Sequence, residues 1–265
     1  MAPERAAPPE VVCHALARDF DGLEVLSEFD LTFAAGKTTA LVGPSGCGKS
    51  TLLRLIAGLD TPSAGDLRIG GQSADAVRAA GDLAVAFQDP SLLPWRTARG
   101  NVALAQRLAR QPIDVPAIDA LLHRVGLTGF LDARPGALSG GMRQRAAIAR
   151  CLITRPKLLL LDEPFGAVDE LTRRQLGLDL PPLWRAEGTT AVLVTHSVTE
   201  AILLSDRVVV FSPRPAQVLE DVDVPLAHPR CSDMISTDVY EAAFTKISAA
   251  LAKGEALRQG ALAAQ

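Results

Sequence analysis

Residues 43–51 read GPSGCGKST, which matches the phosphate-loop pattern G-x-x-x-x-G-K-[ST] at every fixed position. The glycines allow the backbone to turn and to bring successive N–H groups close to phosphate oxygens. Lys49 supplies a positive charge to the β- and γ-phosphates, and the Ser50 hydroxyl can bind Mg²⁺. An apolar run at 39–42 predicts a buried strand before the loop, and a leucine-rich segment at 52–57 predicts a helix whose N-terminus faces the anion. This stretch therefore predicts a strand–loop–helix unit that binds a nucleoside triphosphate.

Length and composition limit the class of protein. A chain of 265 residues is long enough for one large domain or two closely packed lobes. Its hydrophobic fraction is 48%, yet no stretch approaches the ~20 uninterrupted apolar residues of a membrane span. The net charge of −3 argues against a nucleic-acid partner. Residues 1–10 lack the apolar core of a secretion signal and are predicted to form a disordered lead-in.

The cysteines are scattered through the sequence. Cys13, Cys47, Cys151 and Cys231 have no paired spacing typical of a zinc site or a disulfide framework, which favours a reducing cytoplasm. Cys47 lies inside the phosphate loop beside Lys49, so a redox role stays open there. The simpler interpretation is that a small residue fits the loop.

Strand and helix patterns alternate in the second half of the chain. The periodicity predicts helices at 142–153, 171–185 and 198–204, and strands at 158–161, 190–195 and 207–211. Such alternation is typical of a parallel sheet covered on both faces. Residues 11–51 have strand patterns with turns, whereas the period becomes helical from about 91 to 138. The helical interval is therefore predicted to be a separate lobe.

A second nucleotide motif, LLLLDE, occupies residues 158–163. Its leucines predict a buried strand, and ligands bind at the carboxyl ends of strands in open α/β sheets. Asp162 suits an indirect hold on Mg²⁺, and Glu163 can act as the general base for an attacking water. The structural alternative is that the Asp-Glu-Pro sequence only ends the strand at a turn.

A second candidate anion site is the sequence LSGGMRQR at residues 138–145. Ser139 is a good helix N-cap, and Gly140 and Gly141 expose backbone amides at the start of the helix. One phosphate loop needs only one cradle, so a second anion site on the same chain requires an explanation.

At this point the motifs resemble the ATPase subunits of ABC transporters, whose signature sequence is LSGGxxxR. The resemblance covers roughly residues 13–215, and the motifs occur in the family's order. It implies an α/β fold: a P-loop NTPase core with a mostly parallel sheet, an N-terminal antiparallel β subdomain and an inserted helical subdomain. It also implies that two ATP molecules are sandwiched between two subunits, so that Ser139 and Gly141 of one subunit hold the γ-phosphate bound by the other.

The resemblance also implies roles for single residues. Phe20 occupies the place of an aromatic residue, usually Tyr, that stacks on adenine, although it could be an ordinary core residue. Gln88 matches the glutamine that contacts Mg²⁺ and the attacking water. Asp169 matches the loop that crosses to the partner subunit, where Val168 departs from the commoner Leu. His196 matches the switch histidine that contacts the γ-phosphate.

These assignments give three sets of site residues and five segments. The predicted catalytic residues are Lys49, Gln88, Glu163 and His196, and the predicted Mg²⁺ ligands are Ser50, Gln88 and Asp162. The predicted ATP-binding residues are Phe20, Gly43, Pro44, Ser45, Gly46, Cys47, Gly48, Lys49, Ser50, Thr51, Gln88, Ser139, Gly140, Gly141 and Asp169. The predicted segments are the lead-in (1–10), the β subdomain with the phosphate loop (11–90), the helical subdomain with the signature (91–155), the second half of the core (156–215) and a C-terminal extension (216–265) with a helix near 239–251.

Three local sequences narrow the subfamily. Residues 92–96 (LLPWR), 162–167 (DEPFGA) and 206–215 (DRVVVFSPRP) look like the ATPases of the nitrate/sulfonate/taurine importer group. Importers of the hydroxymethylpyrimidine precursor of thiamine share this pattern. The apolar segment 92–95 suits a groove that accepts a helix from a membrane permease, although Trp95 could instead pack between lobes.

The predicted function is that of an importer motor at the cytoplasmic face of the inner membrane. Its expected partners are a second ATPase subunit, most simply an identical one, the permease subunits and, indirectly, a solute-binding protein. A non-transport ABC ATPase predicts long coiled-coil insertions, zinc cysteines or a second motif set, and none of these is visible. A regulator with little turnover predicts the loss of Glu163 or His196, and both are present.

Overall fold

Strands and helices alternate along most of the chain, and the computed structural model describes residues 7–166, 168 and 170–263. The strands are β1 (Val11–Phe20), β2 (Leu23–Phe33), β3 (Thr38–Val42), β4 (Ala64–Ile69), β5 (Leu83–Ala86), β6 (Leu158–Asp162), β7 (Thr190–Val194), β8 (Arg207–Phe211) and β9 (Val218–Asp223). The helices are α1 (Lys49–Ile56), α2 (Ala74–Ala80), α3 (Ala98–Leu108), α4 (Val115–Arg124), α5 (Gly140–Leu152), α6 (Glu170–Asp179), α7 (Pro181–Arg185), α8 (Val198–Leu204) and α9 (Asp238–Ala263).

The larger sheet has six strands in the order β5-β6-β7-β3-β8-β9. All neighbours pair in parallel except β8 and β9, which pair antiparallel. Every residue of β3 and β7 is buried, because a parallel sheet with helices on both faces leaves neither face to water. The phosphate loop follows the central strand β3.

The smaller sheet has the order β2-β1-β4, and its strands pair antiparallel. It lies over α1, whose Leu52 and Ile56 share an apolar cluster with Phe33 of β2 and Val209 of β8. This packing fixes the helix of the phosphate loop between the two sheets.

Helices α3, α4 and α5 form the inserted helical part. Val102, Ile118 and Ile148, one from each helix, belong to a single buried cluster. Asp114 caps α4 by accepting a hydrogen bond from the N–H of Ala117 at 3.0 Å. The predicted fold class, with its mostly parallel sheet, antiparallel β subdomain and inserted helices, is confirmed.

Two local predictions are wrong. The helix expected over 171–185 is divided into α6 and α7, because Pro181 and Pro182 have no N–H to donate to the preceding turn. The lead-in expected over 1–10 does not reach residue 10. The carbonyl of Pro9 accepts a hydrogen bond from Thr190 Oγ1 at 2.7 Å, and that of Glu10 accepts one from the N–H of Gly70 at 2.8 Å. Residues 1–6 lie outside the described part.

The C-terminal extension also differs from the prediction. Strand β9 occupies a part of the extension for which we predicted no strand, and it pairs with β8 through Val208 opposite Val222. The final helix α9 is longer than the expected 239–251, because good helix formers continue after that range. Within the described part of the chain, none of the helices combines the length and apolarity that crossing a membrane requires.

Candidate nucleotide-binding site

The phosphate loop connects the buried end of β3 to α1, and its glycines are required by close packing. A Cβ atom on Gly43 would lie 2.9 Å from the carbonyl oxygen of Phe211. A Cβ on Gly48 would lie 2.8 Å from Leu26 Cδ2, and its φ of 124° is a conformation that other residues rarely adopt. The loop therefore keeps its path only with glycine at these two positions.

Lys49 is the first residue of α1 and is only 6% exposed. Its Nζ donates hydrogen bonds to the carbonyl oxygens of Gly43, at 2.8 Å, and Pro44, at 2.9 Å. The ammonium group thus lies inside the turn of the loop. Among the described residues, no side chain caps the N-terminus of α1, so its first-turn amides are available to an anion.

Two of the three predicted Mg²⁺ ligands, Ser50 and Asp162, are in direct contact. Ser50 Oγ donates to Asp162 Oδ1 at 3.0 Å, although 112 positions separate the two residues. Burial raises the pKa of the Asp162 carboxyl above its usual value, and the hydrogen bond from Ser50 opposes this effect. Among the described residues there is no cluster of three or more His, Cys, Asp or Glu side chains that could enclose a metal. One hydroxyl and one carboxylate fit Mg²⁺, which takes few protein ligands beside nucleotide phosphates.

Three of the four predicted catalytic residues, all except Lys49, meet at one oxygen of Glu163. Gln88 Nε2 donates to Glu163 Oε2 at 3.2 Å, and His196 Nδ1 lies 3.8 Å from the same oxygen. The three residues follow β5, β6 and β7, which are neighbouring parallel strands, so their side chains meet at one edge of the sheet. Glu163 has a φ of 45°, and strained backbone of this kind clusters at active sites.

Phe20 lies at the end of β1 and is 39% exposed, which argues against an ordinary core position. The guanidinium carbon of Arg18 lies 4.0 Å from the centre of the Phe20 ring. The ring is accessible at the end of the central strand of the small sheet, where a base could stack.

Ser139 caps α5 by accepting a hydrogen bond from the N–H of Met142 at 3.2 Å. In the described ranges, no hydrogen bond or ion pair joins residues 139–141 to the phosphate loop. The chain thus has two separate helix N-termini that are candidates for anion binding, one at the phosphate loop and one at Ser139. Asp169, the residue predicted to cross to the partner, lies outside the described residues.

The signature helix α5 also holds the segment that contains Gln88, through residues that the sequence did not indicate. Gln144, 1% exposed, donates from Nε2 to the carbonyl of Phe87 at 3.4 Å. Arg150 donates to the carbonyls of Pro90, at 2.9 Å, and Ser91, at 2.8 Å. The sequence contains only one sign that α5 holds this segment, which is a glutamine, Gln144, on an otherwise apolar helix face.

A second unpredicted link joins the segment after Glu163 to the strand end before His196. Arg173 donates to the carbonyls of Phe165, at 3.3 Å, and Val168, at 3.0 Å. Its Nε also lies 3.4 Å from a carboxylate oxygen of the buried Glu200, which accepts a hydrogen bond from the Thr195 hydroxyl. The two loops beside Glu163 therefore share one polar network.

Comparison with known proteins identifies the family. The family model described as ABC transporter matches residues 26–166, which include the phosphate loop and the LLLLDE strand. The chain belongs to the ABC transporter family. It is an ATP-binding, ATP-hydrolysing subunit, and the predicted resemblance to the importer ATPases of the sulfonate group is confirmed by the relatives described next.

Several curated relatives of this ABC subunit are named aliphatic sulfonates import ATP-binding protein SsuB. The protein from Rhodopseudomonas palustris strain BisA53 is 44% identical over 229 residues, which are 86% of this chain and 78% of the relative. The protein from Cupriavidus pinatubonensis is 47% identical over 211 residues, which are 80% of this chain and 68% of the relative.

Solved structures of ABC cassettes have the same fold. The dimeric structure of MJ0796, a bacterial ABC transporter cassette, matches with a TM-score of 0.72 at 26% sequence identity. The match covers 82% of this chain and 100% of the MJ0796 chain. A dimeric post-hydrolysis state of the same cassette, bound to ADP and Pi, has a TM-score of 0.73 at 27% identity.

Proposed function

We propose that this subunit powers an importer of aliphatic sulfonates or similar small anions of the nitrate/sulfonate/taurine type. Relatives named for aliphatic sulfonate import share 44% and 47% of residues with it over 86% and 80% of its length. In this proposal, two copies bind two ATP molecules with Mg²⁺ and sit on permease subunits at the cytoplasmic face of the inner membrane. A solute-binding protein delivers the solute to the permease.

One observation supports the proposed dimer: the two helix ends that we propose to bind anions are separate on one chain. The phosphate loop begins α1, and Ser139 begins α5 without any contact to that loop in the described residues. A second copy explains both ends, because its residues 139–141 would cover the phosphates held by the loop of the first. Closure excludes water and strengthens every electrostatic interaction at the phosphates.

Six side chains near the phosphate loop have roles in the proposed hydrolysis, together with the amides of the loop. Lys49 neutralises phosphate charge, and the loop amides orient the γ-phosphate. Ser50 and Asp162 would hold Mg²⁺, which supplies charge stabilisation at the β- and γ-phosphates. Glu163 accepts the proton of the attacking water, while Gln88 and His196 fix its carboxylate.

The loop that contains Trp95 is suited to permease contact. Trp95 is 67% exposed, so it does not pack between lobes. The fully buried Asn101 holds this loop: it accepts a hydrogen bond from the N–H of Leu93 at 2.7 Å and donates to carbonyls of the same segment. Because Asn101 fixes the conformation of this loop, Trp95 can contact a partner without a large loss of conformational entropy.

Replacement of Trp95 by alanine is expected to weaken permease association about tenfold or more, since buried tryptophans dominate interface energies. ATP affinity should stay unchanged. Co-purification of the subunit with the permease, alongside nucleotide titration, measures both quantities. Leu108→Ala is the matched control, because Leu108 is 74% exposed at the end of α3 and lies outside the loop that contains Trp95. An equal loss of both affinities for Trp95→Ala argues against the docking role.

The experiment that tests the transported solute uses the complex purified from membranes. ATPase activity is measured with the solute-binding protein loaded with an aliphatic sulfonate, taurine, nitrate or hydroxymethylpyrimidine. We expect the strongest stimulation from the sulfonate. Stimulation by hydroxymethylpyrimidine alone would identify the alternative importer of the thiamine precursor and reject the sulfonate proposal.

A further inference from the structure

The loop between β8 and β9 packs against the outside of the phosphate loop. This 212–217 loop is fixed to β2 by two backbone hydrogen bonds: Ala216 N–H donates to Val25 at 2.9 Å, and Ser27 N–H donates to Ala216 at 3.1 Å. Inside it, Ser212 Oγ accepts a hydrogen bond from the N–H of Gln217 at 2.9 Å. These hydrogen bonds therefore hold the 212–217 loop in place beside the nucleotide site.

The side chain of Arg214 extends from the 212–217 loop to Gly46 of the phosphate loop. Its Nη2 and Nε donate to the carbonyl oxygen of Gly46 at 2.8 Å and 3.3 Å. At the other end of the same peptide group, the N–H of Cys47 donates to the carbonyl of Pro44 at 3.3 Å. The peptide between Gly46 and Cys47 is thus held at both ends.

The orientation of this peptide group matters because the loop binds an anion. Phosphate is held by inward N–H groups, and an inward carbonyl would repel it. Gly46 has a φ of 75° and the conformational freedom of glycine, so its peptide could rotate if its carbonyl were released. Arg214 keeps that carbonyl on the outer side.

The positive charge of Arg214 also favours the binding of phosphate by the loop. The side chain is exposed, and in the part of the chain that is described no carboxylate lies within ion-pair distance of it. Its positive charge is therefore not neutralised locally and raises the potential around the phosphate loop.

We propose that Arg214 is a positioning residue for nucleotide binding, which acts by fixing the Gly46–Cys47 peptide and by adding positive potential at the loop. It contacts the loop backbone and not the reacting water or its base, so it is expected to change ATP affinity more than turnover. The proposal depends on ATP binding alone and not on the identity of the transported solute.

The test compares ATP dissociation constants of Arg214→Met, Arg214→Lys and the wild type by calorimetry. Methionine keeps most of the aliphatic bulk but has neither charge nor donor, and we expect about tenfold weaker binding with kcat at saturating ATP unchanged within about twofold. Lysine keeps the charge and one donor group and should recover part of the affinity. Arg68→Met is the control, because Arg68 is exposed and pairs with Asp66 at 2.6 Å on β4; its affinity should equal that of the wild type.

A second measurement, the NMR signal of the Cys47 amide, monitors the Gly46–Cys47 peptide group directly. The chain contains four cysteines, so selective ¹⁵N labelling of cysteine gives few amide signals, one of them from Cys47. We expect Arg214→Met to move that signal and Arg68→Met to leave it in place. Wild-type ATP affinity in Arg214→Met, or a loss of kcat without a loss of affinity, overturns the proposal. Should the methionine variant fail to fold, Arg214→Gln replaces it, and unchanged affinity in Arg214→Gln overturns the proposal equally.

Discussion

Lys49→Ala is expected to abolish ATP binding at nucleotide concentrations that saturate the wild type. The ammonium group lies inside the phosphate loop and is shielded from water, so its interaction with phosphate is weakly screened. Removing one partner of such a buried charge pair costs about 2–5 kcal/mol, which corresponds to at least about thirtyfold in dissociation constant. Calorimetric titration with ATP and Mg²⁺ measures the loss.

Lys37→Ala is the matched control for this experiment. Lys37 is an exposed lysine in the turn at the other end of β3, far along the strand from the phosphate loop. We expect this variant to bind ATP like the wild type, and both variants to keep the wild-type melting temperature within a few degrees. Wild-type affinity in Lys49→Ala would show that the loop does not hold the phosphates.

Glu163→Gln is expected to bind ATP normally and to lose turnover by about 10²–10⁴-fold, the range typical of a lost general base. Glutamine has the shape of glutamate but cannot accept the proton of the attacking water at neutral pH. The positions of Gln88 and His196 around the side chain are expected to persist, because neighbouring strands set them. Phosphate release in a single turnover measures the chemical step apart from ATP binding.

The control for Glu163→Gln is Glu255→Gln, the same change at an exposed position of α9. It should leave phosphate release at the wild-type rate. A Glu163→Gln protein that also releases phosphate at this rate would assign the base to another residue, and the side chains that converge on Glu163 would need a different explanation.

The sequence predicted the local structure around each motif, because each is a local pattern of neighbouring residues. The loop at 43–51, the LLLLDE strand and the Ser139 helix cap all depend on residues that are close in the chain. The family resemblance added Gln88 and His196, which no local pattern identifies. The strand order β5-β6-β7 explains why these residues meet at Glu163.

Contacts between distant segments could not be predicted from one sequence. Arg214 and Gly46 are 168 positions apart, and nothing near Arg214 indicates a partner in the phosphate loop. The network of Arg173 with Glu200 has the same character, since each residue alone resembles an ordinary charge on a helix. The errors in the secondary structure are local by contrast: two prolines divide a helix after Asp179, and an acidic edge strand at Val218–Asp223 resembles a loop.

The central claim is that ATP joins two copies of this chain, and the mass of Glu163→Gln in solution tests it most directly. The variant is run on a sizing column with light scattering, with ATP and Mg²⁺ and then without nucleotide. We predict twice the mass of one chain with ATP and the mass of one chain without it. The double variant Lys49→Ala/Glu163→Gln should stay at the mass of one chain in both runs. A Glu163→Gln protein that binds ATP and still has the mass of one chain would contradict the claim.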